Sequence, residues 1–473
     1  MKWASKTFSL FLIFLPLLFA GFIRFAPESL SASTASHKAL EFEKTENWFS
    51  SEENLKTVVD LSGWRADAWQ KLGRAAFEQK EYAQSAAALE QARKSSELTF
   101  DNIVRLGKSY LQLDRIGDAQ NLWREISLTA PTDFDFLVET AVNQREIGDT
   151  FGTITTLLAA YDLQPMNLQV DYLLGIHLAA TQPQSAVKFL EFSVKSADPE
   201  KSVSESLLSE MKNTSQEPGL RSVRIGQILS NAGEWDLAAR SFNLAVQKDE
   251  TNAFAWALLG EALQHTGKDG FDELQKALDL EPGSDMANAL MALYYRRQNK
   301  PELALPYLYN AVKANPGKAI WQVELGNTLA DTGDLKSALD HFVAATLAEP
   351  KDPLTWQSLA TFCFTRNVEI TPTGLNAARK ALELDPQNPQ LMDLMGMGLL
   401  INGDTDSADR FFRQAIEIDP KEAAYHLHYG QLYIQEKDCA RAASELKQAI
   451  SLATDDRIKS NAERLLSDYC AGY

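Results

Sequence analysis

The amino-acid sequence repeats itself every 34 residues, and a chain with that period must fold as a stack of like units. Leu106-Gly107 is followed by Tyr110, small Ala119, bulky Trp123, Ile126 and Pro131. One period on, the frame reads Thr140-Ala141, Gly148, Leu157, Ala160 and Pro165. Later copies are fuller. Leu325-Gly326 leads to Leu329, Gly333, Ala338, Phe342, Ala345 and Pro350, and Met395-Gly396 leads to Leu399, Gly403, Ala408, Phe412, Ala415 and Pro420. Within each copy the apolar residues recur at i, i+3, i+4 and i+7, the spacing that lines one face of an α-helix.

The punctuation agrees with two antiparallel helices per period. Gly148, Gly233, Gly267, Gly333 and Gly403 sit where a first helix must end in a left-handed residue. Pro131, Pro165, Pro199, Pro282, Pro316, Pro350, Pro386 and Pro420 stand near the end of each copy, because proline cannot continue a helix. The small residue after each Leu lets the two helices approach, and Trp, Leu, Tyr or Phe fills the space that remains. One such hairpin cannot bury its own apolar face, so neighbours stack into a solenoid.

This pattern, W-x2-LG-x2-Y…G…A-x3-F-x2-A…P, closely resembles the tetratricopeptide repeat family. Its Trp-led form stands at Trp69-Gln-Lys-Leu72-Gly73 and Trp256-Ala-Leu-Leu259-Gly260, with a weaker form at Trp356-Gln-Ser-Leu359-Ala360. About eleven copies cover residues 67 to roughly 456. The resemblance implies an all-α chain: a right-handed superhelical solenoid of about eleven helix-turn-helix repeats with capping helices, plus one N-terminal hydrophobic helix. It also implies a concave groove lined by the first helices, with exposed positions one, five and eight residues after the Trp position. Those positions single out Val104, Lys108, Val138, Val142, Arg145, Tyr172, Ile176, Leu293, Arg296 and Asn327 as partner-binding residues. The paired Lys and Asn with which some family members hold a peptide's terminal carboxylates are mostly replaced here by Val, Ile and Ala. A protein or peptide partner held through apolar side chains fits such a stripe.

Outside the repeats, residues 37–66 read as N-terminal capping helices and 457–473 as a C-terminal capping helix. Repeats one to four span 67–200 and repeats five to eleven span 219–456, with an insertion at 201–218. In that insertion Val203, Leu207 and Met211 share a helical face, giving a short helix that is either a spacer or a lid over the groove. Residues 1–26 read as a signal anchor or a signal peptide. Lys2 and Lys6 precede an uncharged run over 8–23, about 24 Å long as a helix. A Ser/Ala-rich linker at 27–36 follows, in which Ser33 and Ala35 have the spacing of a cleavage site. Lys2, Lys6 and the amino terminus ahead of the run slightly outweigh Arg24 and Lys38 after it. That places the repeats outside the cytoplasm, either tethered to a membrane or secreted.

With 46 Lys+Arg against 64 Asp+Glu the net charge is −18, a balance that repels phosphate backbones and argues against nucleic-acid binding. No GxSxG, HExxH, P-loop or complete GxGxxG occurs, and Gly396-Met-Gly398 lacks its third glycine. Asp404-Thr-Asp406 lacks the other ligands of a calcium loop and reads as a helix cap. His426 and His428, two apart on a helix, point about 200° apart and cannot chelate one ion from one face. No catalytic residue, metal ligand or cofactor is therefore assigned, and the chain reads as a non-catalytic interaction scaffold. The alternative is an accessory substrate- or glycan-binding module of a cell-envelope enzyme or export system.

Three cysteines exclude a disulfide-built scaffold. Cys363 takes a core position. Cys439 opens the last second helix and Cys470 ends the capping helix, and the two are equidistant from the turn at Thr454-Asp455. In an antiparallel pair such residues face each other, so Cys439 and Cys470 are expected side by side and, in an oxidising compartment, joined as a disulfide. The other reading is two unrelated helix thiols.

Overall fold

The structure is a computed structural model that describes residues 30–128, 133–213 and 217–470; among them there is no strand. The apolar run over 8–23, expected to be an anchor or signal, lies outside the described residues. Among the described residues no helix is long and apolar enough to cross a membrane. Residues 1–215 and 216–473 form two compact units.

In the first unit α1 (Leu30–Lys44) and α2 (Trp48–Leu61) make a leading hairpin. Four hairpins follow: α3 (Ala66–Glu78) with α4 (Tyr82–Arg93), α5 (Phe100–Gln112) with α6 (Ile116–Leu128), α7 (Phe134–Glu146) with α8 (Thr150–Leu163), and α9 (Leu168–Thr181) with α10 (Pro183–Ser193). A single helix, α11 (Glu200–Lys212), closes the unit.

The second unit begins with α12 (Pro218–Asn231) and α13 (Trp235–Lys248), then α14 (Ala253–His265) and α15 (Phe271–Leu280), α16 (Asp285–Arg297) and α17 (Pro301–Ala314). It continues with α18 (Ala319–Asp331) and α19 (Leu335–Ala348), α20 (Pro353–Arg366) and α21 (Leu375–Leu384), α22 (Pro389–Ile401) and α23 (Thr405–Ile418), α24 (Ala423–Gln435) and α25 (Cys439–Leu452). The last helix, α26 (Asp456–Cys470), packs on α25 and α24. Four hairpins after the leading pair and seven here make the expected eleven helix-turn-helix repeats among the described residues.

In eight of the hairpins a glycine of the first helix faces a bulky side chain of the second. A Cβ on Gly107 would stand 2.5 Å from the Trp123 indole, so the fully buried ring lies directly on the α5 backbone. Gly396 and Phe412 repeat the arrangement in α22 and α23, where a Cβ would stand 2.7 Å from the ring. The five glycines of the inter-helix turns have φ between 70° and 90°, left-handed as their spacing predicts. In three of those turns the next residue caps the second helix. Asp149, Asp334 and Asp404 accept the N–H of Gly152, Ser337 and Ser407 at 3.0–3.1 Å.

At the Trp position of the first helices a recurrent bond appears that spacing alone does not reveal. The side chain donates to the carbonyl six residues upstream, in the turn between repeats. Trp69 reaches Gly63 at 2.8 Å, Trp256 reaches Glu250 at 2.9 Å and Trp356 reaches Pro350 at 3.0 Å. Asn288 reaches Pro282 at 3.0 Å and Gln322 reaches Pro316 at 3.2 Å, while His426 Nε2 lies 3.2 Å from the Pro420 carbonyl. Six repeats thus place a side-chain nitrogen of varied shape against this carbonyl, whereas Ile103, Leu137, Ser222 and Met392 hold the position in others. Asp171 occupies it in α9, where it is buried with Oδ2 unpartnered, and burial pushes its carboxyl up to about 6.

One expectation requires correction. Residues 30–36 are not a linker but the first half of α1, with Ala32, Ala35 and Ala39 buried and the helix packed on α2. Small side chains suit a flexible tether, yet at this spacing they make a face that lets two helices come close. The insertion forms the short helix that its spacing predicts, α11. It buries Ser204, Leu207, Leu208 and Met211 and packs on α10 and α9, with Ser204 Oγ 2.8 Å from Ser193 Oγ. Its inward face is turned slightly from the expected one, since Val203 is only half-buried.

Candidate peptide-binding groove

In the second unit the first helices pack on one another directly: α14 on α16, α18 on α20, α20 on α22 and α22 on α24. That packing leaves a row of first-helix surfaces to face solvent. A depression of about 470 Å³ lies on α16, α18 and α20, lined by residues of these first helices alone. A neighbouring hollow of about 570 Å³ shares Arg296 and Asp331 with it and extends to Leu293, Arg297 and the start of α17.

One wall of the depression is apolar. Ile320 and Leu354 line it, and they remain 48 % and 63 % exposed. Each stands two residues before the Trp position of its helix. The same register holds Leu220 and Phe254, both exposed, and Met286, which is partly buried. Five successive first helices thus carry an apolar residue at one register. Spacings of 34, 32, 34 and 34 residues were legible in the sequence but lay outside the three positions considered there. The floor is polar, with Asn327, Gln357, Ser358 and Thr361.

A ladder of ion pairs runs across four first helices, and Arg296, Asp331 and Arg366 of it line the depression. Arg297 of α16 grips Glu261 of α14 with Nη1 at 2.8 Å and Nη2 at 2.6 Å. Arg296 pairs with Glu324 and reaches Asp331 of α18 at 3.5 Å, and Arg366 of α20 meets the same carboxylate at 2.7 Å. Each of these guanidinium groups already has a carboxylate partner. A terminal carboxylate would have to displace one, so the groove is not built as an anion clamp.

The structure separates the ten expected groove residues. Leu293, Arg296 and Asn327 line the two hollows. Val104 and Ile176, at 4 % and 0 % exposure, are core residues and cannot meet a partner. Val104 packs in a cluster with Leu106, Tyr110 and Phe136, where α5 meets α7. Ile176 sits on α9, against which both α10 and α11 pack. Val104 stands one residue after the Trp position and Ile176 five after it, registers that at Gln357 and Thr361 of α20 do line the depression. Lys108 is tied to Glu139 at 2.9 Å, and Val138, Val142, Arg145 and Tyr172 are half-buried in the first unit.

No constellation suited to metal binding accompanies the groove. Among the described residues no three His, Cys, Asp or Glu side chains are placed to hold a metal ion. His426 and His428 engage separate partners: Glu445 at 2.7 Å for one and Asp393 at 2.8 Å for the other. The Glu445 hydrogen bond raises the His426 imidazole above its usual range.

Comparison with known proteins matches two stretches of the second unit to a repeat family. The tetratricopeptide repeat family matches residues 290–353 and again 399–462. The peroxisomal targeting signal receptors of Debaryomyces hansenii and Candida albicans are each 24 % identical, over 201 and 231 residues. Those matches cover 42 % and 46 % of this chain and 28 % and 38 % of the receptors, so the chain spans well under half of either. Among solved structures, yeast Tom70 aligns over 93 % of this chain and 98 % of its own at 13 % identity and a TM-score of 0.41. A tetratricopeptide repeat protein from Parabacteroides merdae aligns over 52 % of this chain and 98 % of its own, at 15 % identity and a TM-score of 0.42.

Proposed function

We propose that this chain of tetratricopeptide repeats is a non-catalytic scaffold that takes protein partners through an extended peptide segment laid across the first helices of its second unit. The observation that carries this reading is the depression on α16, α18 and α20. Exposed Ile320 and Leu354 share it with polar side chains and with Arg296, Asp331 and Arg366, which already pair with one another. Packed helices lie about 8–10 Å apart, and an extended or polyproline-type chain rises about 3.1–3.4 Å per residue. Every third residue then meets the next helix, so the fitting peptide carries apolar side chains three apart. The two curated relatives are named as receptors for a targeting signal, and a peptide-reading role agrees with that description.

Fluorescence anisotropy with labelled peptides tests the reading. Peptides with apolar residues at every third position should bind, and Ile320→Asp combined with Leu354→Asp should weaken them at least tenfold. Both side chains are exposed, so the helical circular dichroism should not change. Phe151→Asp, at an exposed residue of α8 in the first unit, should leave affinity as it was. Equal binding by the wild type and the double variant would remove the groove from consideration.

The scaffold is proposed to act outside the cytoplasm, held by or released from the apolar run over 8–23. Alkaline extraction of native membranes should retain the chain. Alternatively, the medium should contain it with a shortened N-terminus. A soluble cytosolic pool of full-length chain would overturn this placement.

A further inference from the structure

Cys439 is the first residue of α25 and Cys470 the last of α26. Antiparallel packing brings them together as their equal distance from the turn predicts. The Cys439 thiol donates to the Tyr469 carbonyl at 3.1 Å and lies within hydrogen-bonding reach of Cys470. Both are thiols in the structure, not the disulfide expected from the sequence.

Their surroundings give the two sulfurs different roles. Cys439 is half-buried and open to a small reagent, whereas Cys470 is buried, and burial pushes its thiol up to about 11. The helix that carries Cys470 is lightly held. Only Ala462 and Cys470 of α26 are fully buried, with Ile458, Leu465 and Leu466 packed partly against Leu446 and its neighbours. A helix held by so few buried side chains opens readily, and a bond at its far end opposes that opening most. The third cysteine, Cys363, is fully buried on α20, within the same extended apolar cluster as Cys470.

We propose that Cys439 and Cys470 form an oxidation site at which a low-molecular-weight disulfide staples α26 to α25 and so closes the end of the second unit. The Cys439 thiolate attacks one sulfur of the small disulfide, releasing one small thiol and leaving a mixed disulfide on Cys439. Cys470 gives its proton to solvent and attacks the Cys439 sulfur, expelling the second small thiol. Two protein thiols lose two electrons in all, and one small disulfide is reduced to two thiols. The new bond closes the loop over 439–470 and constrains the opened state of the terminal hairpin.

The test uses the full chain equilibrated in glutathione buffers stepped from reducing to oxidising, then alkylated and mapped by mass spectrometry. A Cys439–Cys470 peptide pair two hydrogens lighter is expected, with Cys363 unmodified. Amide hydrogen exchange in α26 should slow by on the order of a hundredfold on oxidation. Cys470→Ser should accumulate glutathione on Cys439, because the resolving thiol is gone. Cys439→Ser should gain little adduct on buried Cys470. A pair that stays reduced in the most oxidising buffer, links that form between chains instead, or unchanged exchange in α26 would each overturn the proposal.

Discussion

Truncating Phe412 to alanine is expected to destabilise the second unit by about 3–5 kcal/mol, the range for deleting a fully buried aromatic ring. The ring has no exposed surface. It lies directly on the backbone at Gly396, and its centroid is 6.1 Å from Tyr429 and 6.4 Å from His428 in the following repeat. One side chain therefore joins the two helices of its own hairpin and the first helix of the next. Urea unfolding of the full chain, followed by amide exchange resolved by helix, measures the effect. Protection should fall first in α22 through α25, since each repeat is stabilised mainly by its neighbours. Ile418→Ala, on the same helix but 47 % exposed, should change stability by less than about 0.5 kcal/mol. A loss under about 1 kcal/mol for Phe412→Ala would mean that the hairpin collapses around the gap, and the interlock would not be what holds it.

Replacing Asp171 with asparagine should have the opposite sign. At six other Trp positions a side-chain nitrogen meets the carbonyl six residues upstream, and an ionised carboxylate has no proton to donate there. Asp171 is buried with Oδ2 unpartnered, and burial raises its carboxyl to about 6 while Lys188 opposes the shift. The folded value therefore lies above the ordinary 3.8. The stability this group contributes is complete below about pH 4 and is lost as pH rises through about 6. Asp171→Asn should accordingly stabilise the first unit by about 1–3 kcal/mol at pH 7.5, the scale of one buried unsatisfied polar group, and change little at pH 4. Asn288 already makes the required bond in α16. Urea unfolding across pH 4–8 measures the difference. Parallel wild-type and variant curves over that range would show that the carboxylate is compensated in some other way.

The hairpin and its stacking were legible residue by residue, because the interactions that build them are short in sequence. Gly333 and Asp334 form one turn and cap within two residues, and Gly396 meets Phe412 only 16 positions on. The same locality placed Cys439 opposite Cys470. The groove was only partly legible. Repeat spacing points to Leu293, Arg296 and Asn327, which line the two hollows, but it neither marks the exposed register two residues before Trp nor tells that Val104 and Ile176 are buried.

The period and its punctuation dictated an all-helical array of hairpins, since each helix needs an apolar stripe and each turn a residue tolerant of positive φ. Which side of each first helix stays open was decided by packing between repeats. A stripe residue looks the same in sequence whether the next helix covers it, as at Ile176, or leaves it bare, as at Leu354. The same holds for α1, whose alanines are a linker or a buried face according to whether α2 lies against them. Burial is a property of two surfaces in contact, and one chain segment carries only half of that information.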